Sequence, residues 1–454
     1  MTPLNSRLRA LFAPALAVLL LAACNGSDNA YTAIPAATVQ IIHASPDAPA
    51  VDVSLNGAAS ITNLDYGQAS VPVTVKAGTL NVAVLGRLPG TSRPAVIGPA
   101  DIAVTANGVY AVLAVKNVAA IEPLVVARET STVASSSVRL QVVHAAPAAP
   151  AVAVYVTAPG ADLAASMPVG NPAFKDVLPA ATVPAGDYQI RVTPANTSSP
   201  VLFDSGTVTL AGGSDLLVAA LQNTGPGSSP ITLLAVPRTG ATLKLLDQAT
   251  PARVRVVHAS PDAPAVQVIA NDNFAAPLVP TLAFPNFTPF VTVPGAAYNL
   301  KVTPVGNNGL IAIDANVTLV AGREYSVYAV GLLSSIGPLV LTDDRRPVAT
   351  QARVRIVHAA PAAGNVDLYV VAPGTSLTGA TPAFTNVPFK ADTGYVDLAA
   401  GSYEVSVTPT GSKTAAIGPL AITVVNGGVY TVAARDAVGG GVPLSVITLD
   451  DFNM

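Results

Sequence analysis

Four stretches of this chain open in nearly the same way: VQIIHASPDAPAVDV at 39–53, LQVVHAAPAAPAVAV at 140–154, VRVVHASPDAPAVQV at 254–268 and VRIVHAAPAAGNVDL at 354–368. Repetition at this period constrains the fold more than any other feature, because whatever one stretch forms must form four times. The openings carry His43, His144, His258 and His358, the only four histidines in the chain, spaced 101, 114 and 100 residues apart. A second landmark, a proline before an apolar run (Pro123, Pro230, Pro338, Pro443), follows each histidine by 80, 86, 80 and 85 residues. Repeats 1 and 3 therefore match in length, as do repeats 2 and 4. Local sequence agrees. The odd repeats carry Asp47 and Asp262 where the even ones have Ala148 and Ala362. The even repeats alone share APG followed by PAF, at 158–160 with 172–174 and at 372–374 with 382–384. The order is ABAB, an AB pair duplicated whole.

Each repeat reads as β structure. In the third, Val254, Val256 and His258 fall on one face of an alternating strand, and Arg253, Arg255 and Val257 on the other. The prolines of SPDAP cannot sit in a central strand and mark a turn or corner. Hairpin-like units follow at 183–195, 293–306 and 398–411, and then strands at 108–115, 323–330 and 428–434. Six or seven short strands per repeat, without helical periodicity, predict an all-β chain of four immunoglobulin-like β-sandwiches in ABAB order. The expected domains are 38–128, 138–238, 252–343 and 352–452. A length of 454 residues accommodates them. A transmembrane barrel would need aromatic girdles, and aromatics are only 5% of the chain. Strung end to end, four such domains would reach about 130–150 Å.

The N-terminus carries a different message. Arg7 and Arg9 precede a ten-residue apolar stretch, LFAPALAVLL at 11–20, which suits a signal peptide and is too short to span a bilayer. Leu21-Ala22-Ala23-Cys24 then resembles the lipobox of bacterial lipoproteins, and Cys24 is the only cysteine. The resemblance implies a signal peptide over 1–23, cleavage before Cys24, lipid on its thiol, and a polar tether over 24–37. Several acyl chains on one residue suffice for stable anchoring. Asn25 rather than Asp follows the cysteine, which by the same resemblance favours the outer over the inner membrane. A single cysteine leaves no internal disulfide.

The openings, the AGxYxVxVTP segments and the GxxYxVxAV strands together resemble the bacterial domain of unknown function 4397 family, four times over from 38 to 452. The closing Leu-Thr-Asp-Asp (341–344) and Leu-Asp-Asp (449–451) fit as well. Leu80 departs from the pattern where other repeats have Tyr188, Tyr298 and Tyr403, and Leu216 departs where others have Tyr110, Tyr325 and Tyr430. The resemblance implies secreted or envelope proteins with tandem copies and brings no activity with it.

The four histidines lie far apart, with no HxH or HExxH nearby. The residue nine positions on is Asp52, Ala153, Gln267 or Asp367, so no consistent carboxylate partner exists. A structural role is expected, each imidazole bonding loop carbonyls at its corner, with ligand binding or catalysis as the alternatives. The acid pairs Asp343-Asp344 and Asp450-Asp451 read as solvated strand ends, with inter-domain calcium as the alternative. No GxSxG, SxxK or phosphate loop is present. A formal net charge of −3 offers no basic patch for nucleic acid. The sequence therefore predicts no catalytic residue, metal or cofactor. It predicts a non-enzymatic, lipid-anchored envelope protein for adhesion, scaffolding or protein or glycan binding. The alternative is a small-ligand or glycan binder using clefts between domains, and the remote one a hydrolase.

Overall fold

The computed structural model describes residues 35–453. The expected signal peptide, Cys24 and nearly all of the expected tether lie outside them. Among the described residues, helical structure is limited to four three-residue 3-10 turns. None is long and apolar enough to cross a membrane. The rest is β structure in eight separate sheets of three to five strands, two sheets per repeat.

Repeat 1 sets the pattern. Its strands are β1 (Ala36–His43), β2 (Val51–Leu55), β3 (Ala58–Leu64), β4 (Val73–Lys76), β5 (Gly78–Gly86), β6 (Ala95–Val104), β7 (Val109–Val115) and β8 (Glu122–Arg128). One sheet runs β4-β1-β7-β8 and the other β3-β2-β5-β6. Between them Val39, Ile41 and Val112 meet Val53, Leu80 and Val82 in a buried core. The sandwich expected from the strand pattern is therefore present, with eight strands rather than six or seven. The additional strands, such as β3 and β4, are short and mostly solvent-facing, so they carry little hydrophobic period to read.

Two details go beyond the sequence reading. First, β1 pairs in parallel with β7 at the centre of its sheet, whereas immunoglobulin sheets are antiparallel. The same parallel pairing recurs in all four repeats. Second, the AGxY segments are not hairpins. Strand Ala181–Pro184 pairs with Ser137–His144, while Gly186–Pro194 pairs in the opposite sheet. Ala185-Gly186 is the corner at which the chain changes sheets. Gly186 sits there at φ +151°, a conformation that side chains disfavour. The Tyr188 hydroxyl pins the corner by donating to the Pro184 carbonyl at 2.9 Å. Tyr298 and Tyr403 do the same, and in repeat 1 the buried Leu80 takes the position instead.

The odd and even repeats differ for a local reason. In repeat 1 the Asp47 carboxylate accepts the N–H of Val118, at the start of the 3-10 turn between β7 and β8. Asp262 does the same for Leu333 in repeat 3. The even repeats replace this turn with longer loops, and their Ala148 and Ala362 have no such N–H to hold.

The repeats are not strung end to end. The sheet β4-β1-β7-β8 buries both faces: one lines its own sandwich, and the other packs on the matching sheet of repeat 2. In that second core Ile42, Leu113 and Val126 meet Val143, Leu217 and Leu234. Repeats 3 and 4 join in the same way, through Val257, Tyr328 and Val330 against Val357, Ala433 and Leu449. Each AB pair is thus a four-sheet block. The extended array fails because a strand with two apolar faces cannot leave one in water. Leu217→Ala, at the centre of the first seam, is expected to cost about 2–5 kcal/mol. The loss should register in repeats 1 and 2 together when hydrogen exchange is followed repeat by repeat; a loss confined to repeat 2 would contradict the fused block.

Candidate functional site

The four histidines occupy one position. Each ends the first strand of its repeat, facing the sandwich interior. Its Nε2 lies 3.0 Å from the carbonyl of Pro49, Pro150 or Pro264, and 2.7 Å from that of Gly364 in repeat 4. A carbonyl only accepts, so Nε2 carries the proton. Nδ1 accepts the backbone N–H two residues on, from Ser45, Ala146 or Ala360. The Nδ1 of His258 has no partner. An aromatic ring meets each imidazole edge-on, with centroids 6.0–6.3 Å apart: Tyr66, Phe174, Phe284 and Phe389. Each histidine closes the loop that carries the SPDAP-type corner, and the structure brings no two of them together.

Burial holds the pKa of His43, His258 and His358 below the ordinary histidine value of 6.5, against the opposing pull of their carbonyl bonds. The unfolded chain would protonate these groups near pH 6.5, while the folded chain resists. Their stabilising contribution is complete above that pH and is lost as the pH falls through and below it. Lowering the pH from about 7.5 to about 5 should therefore lower Tm, as followed by circular dichroism. His258→Ala is expected to cost about 1–3 kcal/mol in the full chain, as for a lost buried hydrogen bond.

The acid pairs are not solvated strand ends. Asp343 and Asp450 are fully buried in the seam between repeats 3 and 4. Arg255 of repeat 3 holds Asp450 of repeat 4 through two bonds, at 2.7 and 3.2 Å. Arg355 of repeat 4 holds Asp343 of repeat 3 at 2.5 Å. The exchange is reciprocal, as at a two-fold interface. Ser326 and Thr431 donate to the same carboxylates, at 2.6 and 2.7 Å. The guanidinium groups stack on Phe290 and Tyr395, at 4.7 and 4.6 Å. Burial opposes the charge on both arginines, but the facing aspartates outweigh it and raise their pKa above the ordinary value. These carboxylates are spent on arginine, so calcium has no call on them. The outer members of the pairs turn away, with Asp344 bound to Arg353 and Asp451 to the Val429 N–H. Among the described residues no cluster of three or more His, Cys, Asp or Glu is placed to hold a metal ion.

Repeats 1 and 2 use another arrangement. Gln40 and Gln141 stand where Arg255 and Arg355 do, and one aspartate anchors the seam. Asp215 of repeat 2 takes Arg128 of repeat 1 at 2.9 Å and its own neighbour Arg139 at 3.1 Å.

The two blocks meet through Arg346, which follows repeat 3. It reaches Asp65 and the Ala48 carbonyl of repeat 1, at 2.6 and 2.9 Å, and lies over Tyr66. Beside this contact is an open cleft of about 500 Å³. Its walls come from repeat 1 (Asp65, Tyr66), the 224–226 loop of repeat 2, the connector residues Lys244 and Leu246, and repeat 3 with its trailing segment (320–324, 342–346). The sandwich interiors offer nothing comparable, since repeat 2 encloses only about 20 Å³ among its core side chains. The sequence raised clefts between domains without placing one, because no repeat motif marks the connector.

The family described as Domain of unknown function (DUF4397) matches residues 37–155, 252–369 and 374–453. The chain belongs to the DUF4397 family. The first two DUF4397 segments each cover an odd repeat and the opening two strands of the next. No curated protein matches the chain in sequence. Two solved structures bear a distant likeness. One is the Bacillus anthracis TIE protein, at 10% identity and a TM-score of 0.16, covering 85% of this chain and 65% of that one. The other is a family 26 carbohydrate-binding module from Eubacterium rectale Amy13K, solved with maltoheptaose, at 10% identity and a TM-score of 0.17, covering 45% of this chain and 97% of that one. At these scores neither likeness bears on what this DUF4397 chain binds.

Asp450→Ala would remove the carboxylate that Arg255 binds at 2.7 Å and leave it Asp343 at 3.5 Å, itself shared with Arg355. It is expected to cost about 3–5 kcal/mol in urea unfolding, and the pair Arg255→Met with Asp450→Leu should recover much of that loss. A loss no smaller in the double variant would show that the pair itself, rather than an unpaired charge, sets the cost.

Proposed function

We propose that this protein is a non-enzymatic binding protein of the bacterial cell envelope, anchored by lipid on Cys24 and engaging a protein or glycan through the junction of its two AB blocks. The observation that carries the reading is the cleft. Its size falls in the range of about 300–1,000 Å³ typical of small-molecule sites. Side chains from three repeats and two connectors form its walls, so it exists only in the assembled chain. The seams that hold those repeats are buried and ion-paired, which reduces the ordering that binding requires of the walls. The anchor rests on the lipobox resemblance, and outer-membrane placement on Asn25. In this reading the membrane is a partner through Cys24 alone.

Cys24→Ser is expected to move the protein from the membrane to the soluble fraction of its host, with loss of labelling by a palmitate analogue. Retention in the membrane fraction would refute the anchor. Binding is tested separately, by presenting the purified full chain in detergent to a glycan array and to envelope extracts. Capture of a glycan or protein, abolished by Tyr66→Ala in the cleft wall, is the expected outcome; capture indifferent to that change would place binding elsewhere.

A further inference from the structure

The charges lining the cleft do not cancel locally. Its carboxylates are each engaged by a partner: Asp65 by Arg346, Asp343 by Arg355, Asp344 by Arg353 and Glu324 by Arg253. Arg345 reaches Asp450 at 3.2 Å. Two cations remain, Lys244 on the connector and Arg323 on the turn before strand Glu324–Val330. Neither makes an ion pair or side-chain hydrogen bond within the described residues. Both side chains reach solvent, yet Lys244 is ringed by protein, as befits a group inside a concavity. That surrounding burial, followed by the nearby Arg323 charge, lowers its pKa below the ordinary lysine value, and Asp344 only partly opposes them.

The two cations are also held in place by backbone. Lys244 lies in the short strand Leu243–Leu245, which extends the sheet of repeat 2 by pairing with Leu233–Ala235. Leu246 next to it packs on Gly322, where a Cβ would come within 2.5 Å of the leucine side chain. Gly322 itself precedes Arg323. The connector and the turn are thus interlocked, and both positive groups face the same space. Two like charges held together without counter-ions repel, and an anion that bridges them relieves the repulsion.

Resting on the reading of this cleft as the binding site, we infer that its ligand is a sugar-sized molecule bearing a carboxylate or a phosphate, with Lys244 and Arg323 receiving the anion. Arg323 offers a planar fork suited to two oxygens, and Lys244 a point charge beside it. Tyr66, half-buried and fixed by donating to the Gln222 carbonyl at 2.6 Å with Arg346 over its ring, contributes an aromatic edge to the cleft wall beside the two cations.

The test is calorimetric titration of the full chain in detergent with D-glucuronate, glucose 6-phosphate and glucose. One or both anionic sugars should bind and glucose should not. Which of them binds separates a uronic acid from a phosphorylated ligand. Lys244→Gln and Arg323→Gln should each weaken that binding by about tenfold, as for loss of one charge-assisted bond. Their Tm should be unchanged, since neither residue holds the fold. Equal binding of glucose, or anion binding indifferent to both variants, would overturn the anionic assignment. Capture on the glycan array of uncharged glycans alone, still sensitive to Tyr66→Ala, would likewise overturn it while leaving the cleft as a binding site. Absence of any capture would remove both readings.

Discussion

The first strand of each repeat and the strand parallel to it lie side by side in the middle of a sheet, buried on both faces. Everything else in the molecule follows from that burial. One face completes a sandwich and the other must find a second sheet, so the repeats cannot be independent beads. In the first block the strands are filled with Ile42, Leu113 and Leu217, and the seam's buried charges are Asp215 with Arg128 and Arg139. In the second, Arg255 and Arg355 occupy the same strands beside an apolar cluster, and their charges are accommodated because Asp450 and Asp343 reach across from the opposite repeat. A buried charge without its partner costs several kcal/mol, so these four side chains must be placed as a set.

Much of this architecture was legible in the sequence. Fourfold repetition, alternation within the opening strands and the ABAB difference in loop length together yield four sandwiches. The Asp47 and Asp262 substitutions also had a local cause, the N–H of a 3-10 turn. What escaped was the second buried face. Its signal was present: YAVLAV at 110–115 and DLLVAAL at 215–221 are nearly continuous apolar runs, the mark of a strand covered on both sides. The Asp343 and Asp450 carboxylates were misread for a related reason. An acid at a strand end is ordinarily solvated, and only the three-dimensional pairing of two repeats brings Arg255 onto Asp450, 195 residues away in sequence, and Arg355 onto Asp343.

The candidate site was less legible still. The histidines, the most eye-catching residues in the chain, are engaged as loop fasteners, each with its Nε2 on a carbonyl. The cleft is built from Lys244, Arg323 and Tyr66, none of which belongs to a motif shared by all four repeats. A repeat supplies the scaffold, and features that occur once mark what is particular to this chain. That division is physical: residues serving the common fold recur with its period, whereas a junction between blocks occurs once.

The difference between the two seams has a bearing on how such a chain assembles. Four similar domains on one polypeptide offer several wrong partners during folding, and tandem repeats are prone to such exchange. If repeat 3 docked on repeat 2, Arg255 would enter a seam with no Asp450 to receive it. If repeat 4 docked on repeat 1, Arg355 would meet the same fate opposite Gln40. The correct pairing gives Arg255 and Arg355 each a carboxylate from the opposite repeat. The charges therefore match repeat 3 to repeat 4, in residues that add little to the strength of the finished contact but make its rivals costly.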